Sequence, residues 1–318
     1  KPNLPTGSFY SNKYVGMTYV GLPLLVSGFA TQYYVAGQFK DLRDAYVPTF
    51  RHTYDDYLQY APAAAMLVIK ACGVKGRSSW GRMLVSDAFS AALMAVAVNG
   101  LKYSMQTMRP DGSTANSFPS GHTATAFMAA AMLDKEFGCV SPWISVGGYV
   151  VATTVGVSRI LNNRHWISDV LAGAGIGILS VEFGYLFADL IFKEKGLYQL
   201  VHPDFSIPEK PSNAGLYMGM LLPTAAVNLG NGLRLLPSMG SRMGIEGTWY
   251  AHRYWGIGGE ATVARIPVAL EGSSQEEAYS INAASIAVGG YTSYPVGARF
   301  RAGLKALIGC NIISDVNI

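Results

Sequence analysis

The sequence is poor in charged residues and in cysteine. Only 14% of the 318 residues are charged, whereas a soluble domain usually carries about 25%. Half of the residues are apolar, which argues against a disordered chain, a coiled coil and a highly charged nucleic-acid-binding protein. The formal net charge of +4 is too small to indicate a polyanionic partner. We therefore expect no nucleic-acid partner.

The sequence also lacks patterns that bind metals. Cys72, Cys139 and Cys310 form neither a close pair nor a metal-binding spacing. The His-Glu-x2-His pattern of zinc hydrolases is missing as well. We expect no metal and no cofactor. The first residue is Lys1 rather than Met, and a cleaved export signal is one explanation of this.

Long apolar segments separated by polar turns fill the first 200 residues. Six of them have helical character: Val15 to Ala36, Tyr57 to Ala71, Arg82 to Met108, a segment that starts after Gly121 and ends near Phe137 and Gly138, Pro142 to Ile160 and His165 to Phe192. A bilayer crossing needs about 20 apolar residues, and the first, third, fifth and sixth segments are long enough. The segments predict a six-helix bundle that crosses a membrane. A water-soluble, tightly packed helical domain is the alternative.

Basic residues in one loop indicate an orientation. Lys70, Lys75, Arg77 and Arg82 cluster between the second and third segments. Because cytoplasmic loops are enriched in Lys and Arg, we expect this loop in the cytoplasm. The loops after the third and fifth segments would then lie on the outer side.

The composition changes after residue 200. Short Gly-rich runs with alternating apolar residues suggest five or six antiparallel strands. We therefore predict a mainly α protein with two domains, a helical domain over residues 1–200 and a C-terminal antiparallel β domain over 210–318. The Gly-aromatic runs are typical of a membrane barrel, and a small soluble sheet domain is the alternative.

Three short stretches concentrate the polar groups of the helical part. The first contains Lys102, Arg109 and Pro110, with the two cations seven residues apart. This spacing is nearly two helical turns, so both cations would share one helix face about 10 Å apart. Two like charges in this arrangement are tolerated best where an anion lies between them.

The second stretch is Phe118-Pro119-Ser120-Gly121-His122, directly before a helix rich in small residues. A helix N-terminus offers free N–H groups and a positive dipole end to an anion. Ser120 adds a hydroxyl, Gly121 permits close approach of the backbone, and His122 exchanges protons near neutral pH.

The third stretch runs from Ser158-Arg159 to His165 and Asp169. His165 and Asp169 are four residues apart and would be neighbours on a helix. A carboxylate on one imidazole nitrogen leaves the other free as a nucleophile. Arg159 supplies a permanent planar cation suited to phosphate. Each stretch alone is compatible with ordinary surface or capping residues, but together they form an oxyanion site with a nucleophile and a proton donor.

The combined pattern closely resembles the type 2 phosphatidic acid phosphatase superfamily. The signature of that superfamily is Lys-x6-Arg-Pro, then Pro-Ser-Gly-His, then Ser-Arg-x5-His-x3-Asp, and all three parts match here in type, spacing and order. The resemblance covers roughly residues 50–195 and leaves the region after 210 outside.

The resemblance implies a role for each motif residue. His165 would attack phosphorus to form a phosphohistidine, with Asp169 orienting its ring. His122 would protonate the leaving oxygen. The phosphoryl group would be held by Lys102, Arg109, Ser120, Gly121 and Arg159. Since side-chain cations neutralise the phosphoryl charge, no metal is required.

The function expected from this resemblance is phosphoric ester hydrolysis on a lipid phosphate or diphosphate at a bacterial cell-envelope membrane. The active site would face the periplasm, and either the inner or the outer membrane fits. An exported periplasmic acid phosphatase for small phosphomonoesters and a vanadate-dependent haloperoxidase are the alternatives.

Overall fold

The computed structural model describes residues 20–32, 34–198, 210–223, 225–230, 233–270, 279–296 and 301–317. These residues form eight helices and seven strands. The helices are α1 Gly21–Ala30, α2 Tyr34–Tyr46, α3 Asp55–Leu58, α4 Ala61–Ala71, α5 Trp80–Met105, α6 Gly121–Phe137, α7 Pro142–Leu161 and α8 Ile167–Phe192. The strands are β1 Asn213–Leu221, β2 Val227–Gly230, β3 Leu233–Pro237, β4 Gly240–Trp249, β5 Trp255–Leu270, β6 Tyr279–Pro295 and β7 Arg301–Asn317.

The chain divides into two compact units. The helical unit comprises Lys1–Lys40 and Thr49–Pro203, and the sheet unit comprises Asp41–Pro48 and Asp204–Ile318. In the sheet unit, the hydroxyl of Tyr46 donates a hydrogen bond to the Ala264 carbonyl oxygen (3.1 Å). The end of α2 therefore packs with the strands.

Helix α6 lies at the centre of the helical unit and packs against α4, α5, α7 and α8. Its run of alanines is almost completely buried. The neighbouring α8 approaches it closely because glycine faces it. A Cβ added to Gly177 would lie 2.4 Å from the Ala124 carbonyl oxygen, and one added to Gly173 would lie 2.6 Å from that of Ser120. These small residues bring the start of α8 next to the start of α6.

Three helices are long and apolar enough to cross a membrane: α5, α7 and α8, with 26, 20 and 26 residues. At 1.5 Å per residue, 26 residues extend about 39 Å, more than the 30 Å hydrocarbon core. Helices α1 and α4 are apolar but shorter. The described structure thus supports membrane character without confirming six crossings.

The expected first two segments differ from the structure. Residues 15–19 lie outside the described part of the chain. The remainder of that segment is divided between α1 and α2, because Thr31 ends α1 with its side chain bonded to the Ser27 carbonyl oxygen (2.7 Å). The second segment is also divided, into α3 and α4, with Pro62 in the first turn of α4.

The third segment ends earlier than expected. Helix α5 stops at Met105 because Gln106 adopts a left-handed conformation with φ +45°. Arg109 therefore lies beyond the helix, and Lys102 and Arg109 do not share a helix face. The last three helices agree with their predicted segments within two residues.

The strands form one antiparallel sheet in which β1, β4, β5, β6 and β7 follow one another, while β2 and β3 form a hairpin beside the end of β5. In the described residues β1 and β7 do not pair, so the sheet is open and a barrel is not confirmed. One face is exposed and apolar, with Ile257, Ile286 and Ile308 in it. On the other face, Lys305 is paired with Glu246 (3.0 Å) and Glu260 (2.8 Å).

Candidate active site

Four helix ends in the helical unit meet at one point. They are the ends of α5 and α7 and the beginnings of α6 and α8. The Ser120 N–H donates to the Asp169 carbonyl oxygen (3.0 Å), joining the starts of α6 and α8. The indole N–H of Trp166 donates to the Met108 carbonyl oxygen (2.7 Å), joining α8 to the loop after α5. The three sequence motifs therefore lie side by side.

His165 is buried at this point and is held by Asp169. The His165 Nδ1 atom lies 3.2 Å from Oδ2 of Asp169. The same carboxylate oxygen accepts hydrogen bonds from the Ser117 hydroxyl and from the Trp166 backbone N–H (2.9 Å for the latter). His165 precedes α8, so the contact is made across the first turn of the helix and not along its face. Because Asp169 occupies Nδ1, the lone pair of the neutral ring is on Nε2.

The surroundings keep the His165 ring neutral. Burial lowers the pKa of His165 to about 4, although the bonded Asp169 carboxylate raises it. The nearby cations Arg159 and Lys102 contribute to this lowering of the pKa. A neutral imidazole with one nitrogen oriented and the other free is the state that acts as a nucleophile.

Lys102 and Arg109 meet at Asn116. The Lys102 ammonium donates to the Asn116 backbone oxygen, and Nε of Arg109 donates to its side-chain oxygen (3.1 Å). Within the described part of the chain, neither cation has a carboxylate within ion-pair distance. Partial burial lowers the pKa of Arg109, and repulsion from Arg159 and Arg164 lowers it further, so these guanidinium groups share one region. This concentration of positive charge favours an anion.

Two carboxylates that the sequence interpretation did not include in the site contact Arg159, and one of them, Asp56, also contacts His122. Nη1 of Arg159 lies 2.8 Å from Asp55 and 3.6 Å from Asp56. Nε2 of His122 lies 2.8 Å from Oδ1 of Asp56. The pKa of His122 is lowered by burial and by Arg159, whereas Asp56 raises it. The fold thus brings His122 next to Arg159.

The start of α6 supplies backbone donors to the same region. Ser120 caps the helix and accepts hydrogen bonds from the N–H and the hydroxyl of Thr123 (3.4 and 2.9 Å). A Cβ added to Gly121 would meet only Val98, at 3.9 Å, so the space at this helix end is open. The Gly121 N–H belongs to the first turn of α6, where backbone N–H groups have no partner within the helix and can donate to an anion.

Several supporting residues gave no clear signal in the sequence. Ser117 and Asn116 are uncharged and adjoin a motif, so only their contacts reveal them. Asp55 is fully buried, and its carboxylate binds the cation Arg159. From the sequence alone, the acidic pair of Asp55 and Asp56 before α4 was compatible with a solvated loop. Nothing in the sequence distinguishes the buried Asp55 from the 48% exposed Asp56, so only the contact with Arg159 reveals the role of Asp55.

In the described residues, no group of three or more His, Cys, Asp and Glu side chains is placed to hold a metal ion. The site instead presents side-chain cations, backbone N–H groups and a neutral imidazole. Such a set of donors binds a tetrahedral oxyanion, with the imidazole as a nucleophile beside it.

Comparison with known proteins finds a family for part of the chain. Residues 83–192 match the model of the PAP2 superfamily, the range that contains all three motifs. This part of the chain is a PAP2 domain. The resemblance inferred from the motifs is thereby confirmed.

Two curated relatives are similar to part of the chain. A lipid A 1-phosphatase of Porphyromonas gingivalis is 51% identical over 174 residues, which are 54% of this chain and 39% of the relative. The bacitracin transport permease protein BcrC of Bacillus licheniformis is 35% identical over 95 residues, 30% of this chain and 41% of the relative. The chain thus spans about two fifths of the length of these relatives.

A solved structure is also similar. The crystal structure of Aquifex aeolicus LpxE is 21% identical, with a TM-score of 0.36, covering 45% of this chain and 92% of that chain.

Proposed function

We propose that this PAP2 domain is a metal-independent phosphatase that hydrolyses a lipid phosphate or diphosphate through a phosphohistidine intermediate. The observation that supports this most strongly is the buried His165 ring. Its Nδ1 is held by Asp169 (3.2 Å), and the ring interacts with the cations Lys102 and Arg159, the second of which also repels Arg109.

The cations bind and neutralise the phosphoryl group. Lys102, Arg109 and Arg159 contact its oxygens together with the Ser120 hydroxyl and the Gly121 N–H. Phosphoryl transfer has little covalent chemistry for the protein to perform, so positioning and charge neutralisation supply most of the catalysis.

Nε2 of His165 attacks phosphorus, and the bond from phosphorus to the leaving oxygen breaks. His122 gives its proton to that oxygen, so the lipid product leaves as a neutral hydroxyl, or as a phosphate from a diphosphate. The positive charge that develops on the phosphorylated His165 ring is balanced by Asp169.

Water completes the cycle. His122, now without its proton, accepts one from the attacking water as the new bond to phosphorus forms. The bond from phosphorus to Nε2 breaks, inorganic phosphate leaves, and His165 returns to its neutral state. Both histidines are thus restored without any other reactant.

The substrate we propose is a lipid that carries a phosphate on its head group, and lipid A 1-phosphate is the first to test. This choice rests on the 51% identity with a lipid A 1-phosphatase and on the three apolar helices. We place the protein in a bacterial cell-envelope membrane with the site facing the periplasm. The helices favour a lipid over a small soluble phosphomonoester.

We also propose how the rest of the chain meets the membrane. Helices α1, α4 and α6 complete a six-helix bundle with α5, α7 and α8. The exposed apolar face of the sheet, which includes Ile257, Ile286 and Ile308, faces lipid in a barrel-like arrangement. The alternation of an apolar outer face with a charged inner face supports this.

Phosphate release from the purified full chain in detergent tests the activity. We expect faster release from lipid A than from a soluble chromogenic phosphate, with phosphatidate, phosphatidylglycerol phosphate and an isoprenyl diphosphate as comparison substrates. We expect activity to survive EDTA. Release from none of these substrates, or complete loss in EDTA that a divalent ion restores, would contradict the proposal.

A labelled substrate tests the intermediate. Rapid quenching in base during turnover of a ³²P-labelled lipid is expected to retain label on His165, because phosphohistidine is stable in base and labile in acid. Equal retention after acid treatment would point to a different covalent intermediate.

A further inference from the structure

Asp56 is the described residue that touches both His122 and Arg159. Its Oδ1 atom lies 2.8 Å from Nε2 of His122 and 3.6 Å from Nη1 of Arg159. Its side chain is 48% exposed, whereas the neighbouring Asp55 is fully buried and lies 2.8 Å from the same guanidinium nitrogen. The adjacent carboxylates therefore differ: Asp55 fixes Arg159, and Asp56 faces the histidine.

The short helix α3 sets this difference. Asp55 and Asp56 are its first two residues, so their side chains leave it in different directions. Asn162 holds the preceding loop in place, because its side chain exchanges two hydrogen bonds of 2.8 Å with the backbone of His52. Asp56 is thus presented to His122 by a loop that is fixed at the end of α7.

His122 needs such a partner if it is to donate a proton. Partial burial and the cation Arg159 both lower the pKa of its ring, which favours loss of the proton. A carboxylate in contact favours the protonated ring and also fixes its orientation. In the described part of the chain, Nδ1 of His122 makes no hydrogen bond, so that nitrogen is available.

We propose that Asp56 is a positioning residue for His122, holding the proton-carrying ring through Nε2 so that Nδ1 faces the leaving oxygen. This inference rests on the proposed function, in which His122 is the proton donor. The arrangement is the reverse of that at His165, where Asp169 holds Nδ1 and leaves Nε2 free.

The charged groups around the His122 ring come from two packed elements. Asp55 and Asp56 belong to α3, and Arg159 belongs to α7. From α5 and α8, which also pack against α6, Lys102 and Asp169 act on the His165 ring. Removing the Asp56 charge therefore leaves the cation Arg159, which lowers the pKa of His122, and the buried carboxylate of Asp55, which raises it.

Nuclear magnetic resonance of the full chain, labelled with ¹⁵N-histidine in detergent micelles, tests the contact without any activity. The sequence has five histidines, so replacing His122 by Gln assigns its signals. In Asp56→Asn we expect the His122 titration to move down by about one pH unit, since an opposite charge in contact shifts a pKa by about 1–3 units. Asp56→Glu should restore most of the shift. An unchanged titration in Asp56→Asn would overturn the proposal.

The pH profile of phosphate release tests the consequence. In Asp56→Asn, the pKa that defines the basic limb of kcat/KM should fall by about one pH unit. At pH values above that pKa, kcat/KM should therefore fall about tenfold. Asp56→Glu should lie near wild type, and the exposed Glu194→Gln is the control with an unchanged profile. Circular dichroism checks folding.

The two measurements separate the possible failures. A titration that moves while the basic limb stays fixed would overturn His122 as the proton donor and, with it, the positioning role. A wild-type chain that releases no phosphate would contradict the proposed function, while the titration still reports whether Asp56 holds the ring.

Discussion

The two ends of the helical unit both collect charged residues, but they use them differently. At the end away from the site, Arg77 and Arg82 both bind the Asp189 carboxylate. Arg82 is 1% exposed and also donates to the carbonyl oxygens of Lys193 and Lys195 (2.9 and 2.8 Å). Glu136, fully buried, accepts a hydrogen bond from the backbone N–H of residue 78 (3.0 Å). At this closed end the two guanidinium groups are therefore neutralised by a carboxylate of the protein itself.

At the open end, Lys102 and Arg109 rest on the neutral oxygens of Asn116. Their charges are therefore not neutralised by a carboxylate in contact, and an arriving anion gains from both. The comparison shows that clustered cations alone do not make a site. A site requires cations that bind their protein partners more weakly than they bind the ligand. It also requires a reactive group such as His165 beside them.

The comparison also changes the meaning of the basic loop before α5. Lys70 and Arg82 were interpreted as loop charges that mark the cytoplasmic side. Both are buried, and Lys70 donates to the Ser78 carbonyl oxygen. These residues support the fold as well, so the orientation remains a prediction.

The largest effect is expected at the open end. His165→Asn should reduce phosphate release at least about 10³-fold, which corresponds to roughly 4 kcal/mol in the barrier, because the nucleophile is lost. Thermal unfolding should change little, since Asn can still donate to Asp169. Turnover within tenfold of wild type would remove His165 from the proposed mechanism.

The closed end should respond in the opposite way. Asp189→Asn leaves the buried Arg82 and Arg77 without their charge partner and should cost about 3 kcal/mol of folding stability. Phosphate release per folded molecule should stay within about twofold. The pair of the exposed Asp41 and the half-buried Arg265 (3.4 Å) provides the control, since Asp41→Asn should cost under about 1 kcal/mol. The melting temperature in detergent should fall more in Asp189→Asn than in Asp41→Asn. An equal fall in both variants would contradict the structural role assigned to Asp189.

Much of the fold could be predicted from local signals. Helix α6 begins at Gly121, within one residue of the expected start, because the serine cap at Ser120 is a local feature of the sequence. The end of α5 could not be predicted, since Gln106 adopts a positive φ that its residue type does not indicate. The strands β5 to β7 have 16, 17 and 17 residues and are longer than the short runs that the sequence suggested, because pairing with neighbouring strands extends them.

The sequence alone could identify only those site residues that are separated by a fixed number of residues within a motif. His165 and Asp169 are four residues apart, so their contact could be expected. Asp55 and Arg159 are 104 residues apart, and only the tertiary fold brings them together. The roles of the motif residues stay predictions until they are measured.

An arginine at each end provides a matched pair of substitutions. Arg109→Gln should lower kcat/KM about 10²-fold, because a charge-assisted contact to the phosphoryl group is lost. Arg109→Lys should recover part of this, since the ammonium keeps the charge without the planar fork. Arg77→Gln should mainly lower the melting temperature. A similar loss of rate in both glutamine variants would contradict the distinction between the ends.

The depressed pKa of His165, about 4, predicts a stability change in acid. The unfolded ring has an ordinary pKa near 6.5, so the unfolded chain binds more protons between about pH 6.5 and 4. Stability should therefore fall as the pH is lowered through this window, by at most about 1.4 kcal/mol per unit from this group. Melting temperatures of His165→Asn should show a shallower slope than wild type. Parallel slopes would mean that burial of the ring does not set its protonation.

The smallest effect should come from the packing that holds the open end together. A Cβ added to Gly173 would lie 2.6 Å from the Ser120 carbonyl oxygen, so Gly173→Ala must push the start of α6 away from α8. Overpacking of this kind costs about 1–3 kcal/mol. We expect a fall of a few fold in kcat, because Ser120 and Gly121 move relative to His165. The control is Gly147→Ala, where an added Cβ meets nothing within 4 Å. If Gly173→Ala loses stability but keeps wild-type kcat, then the contact between α6 and α8 supports the fold without positioning the site.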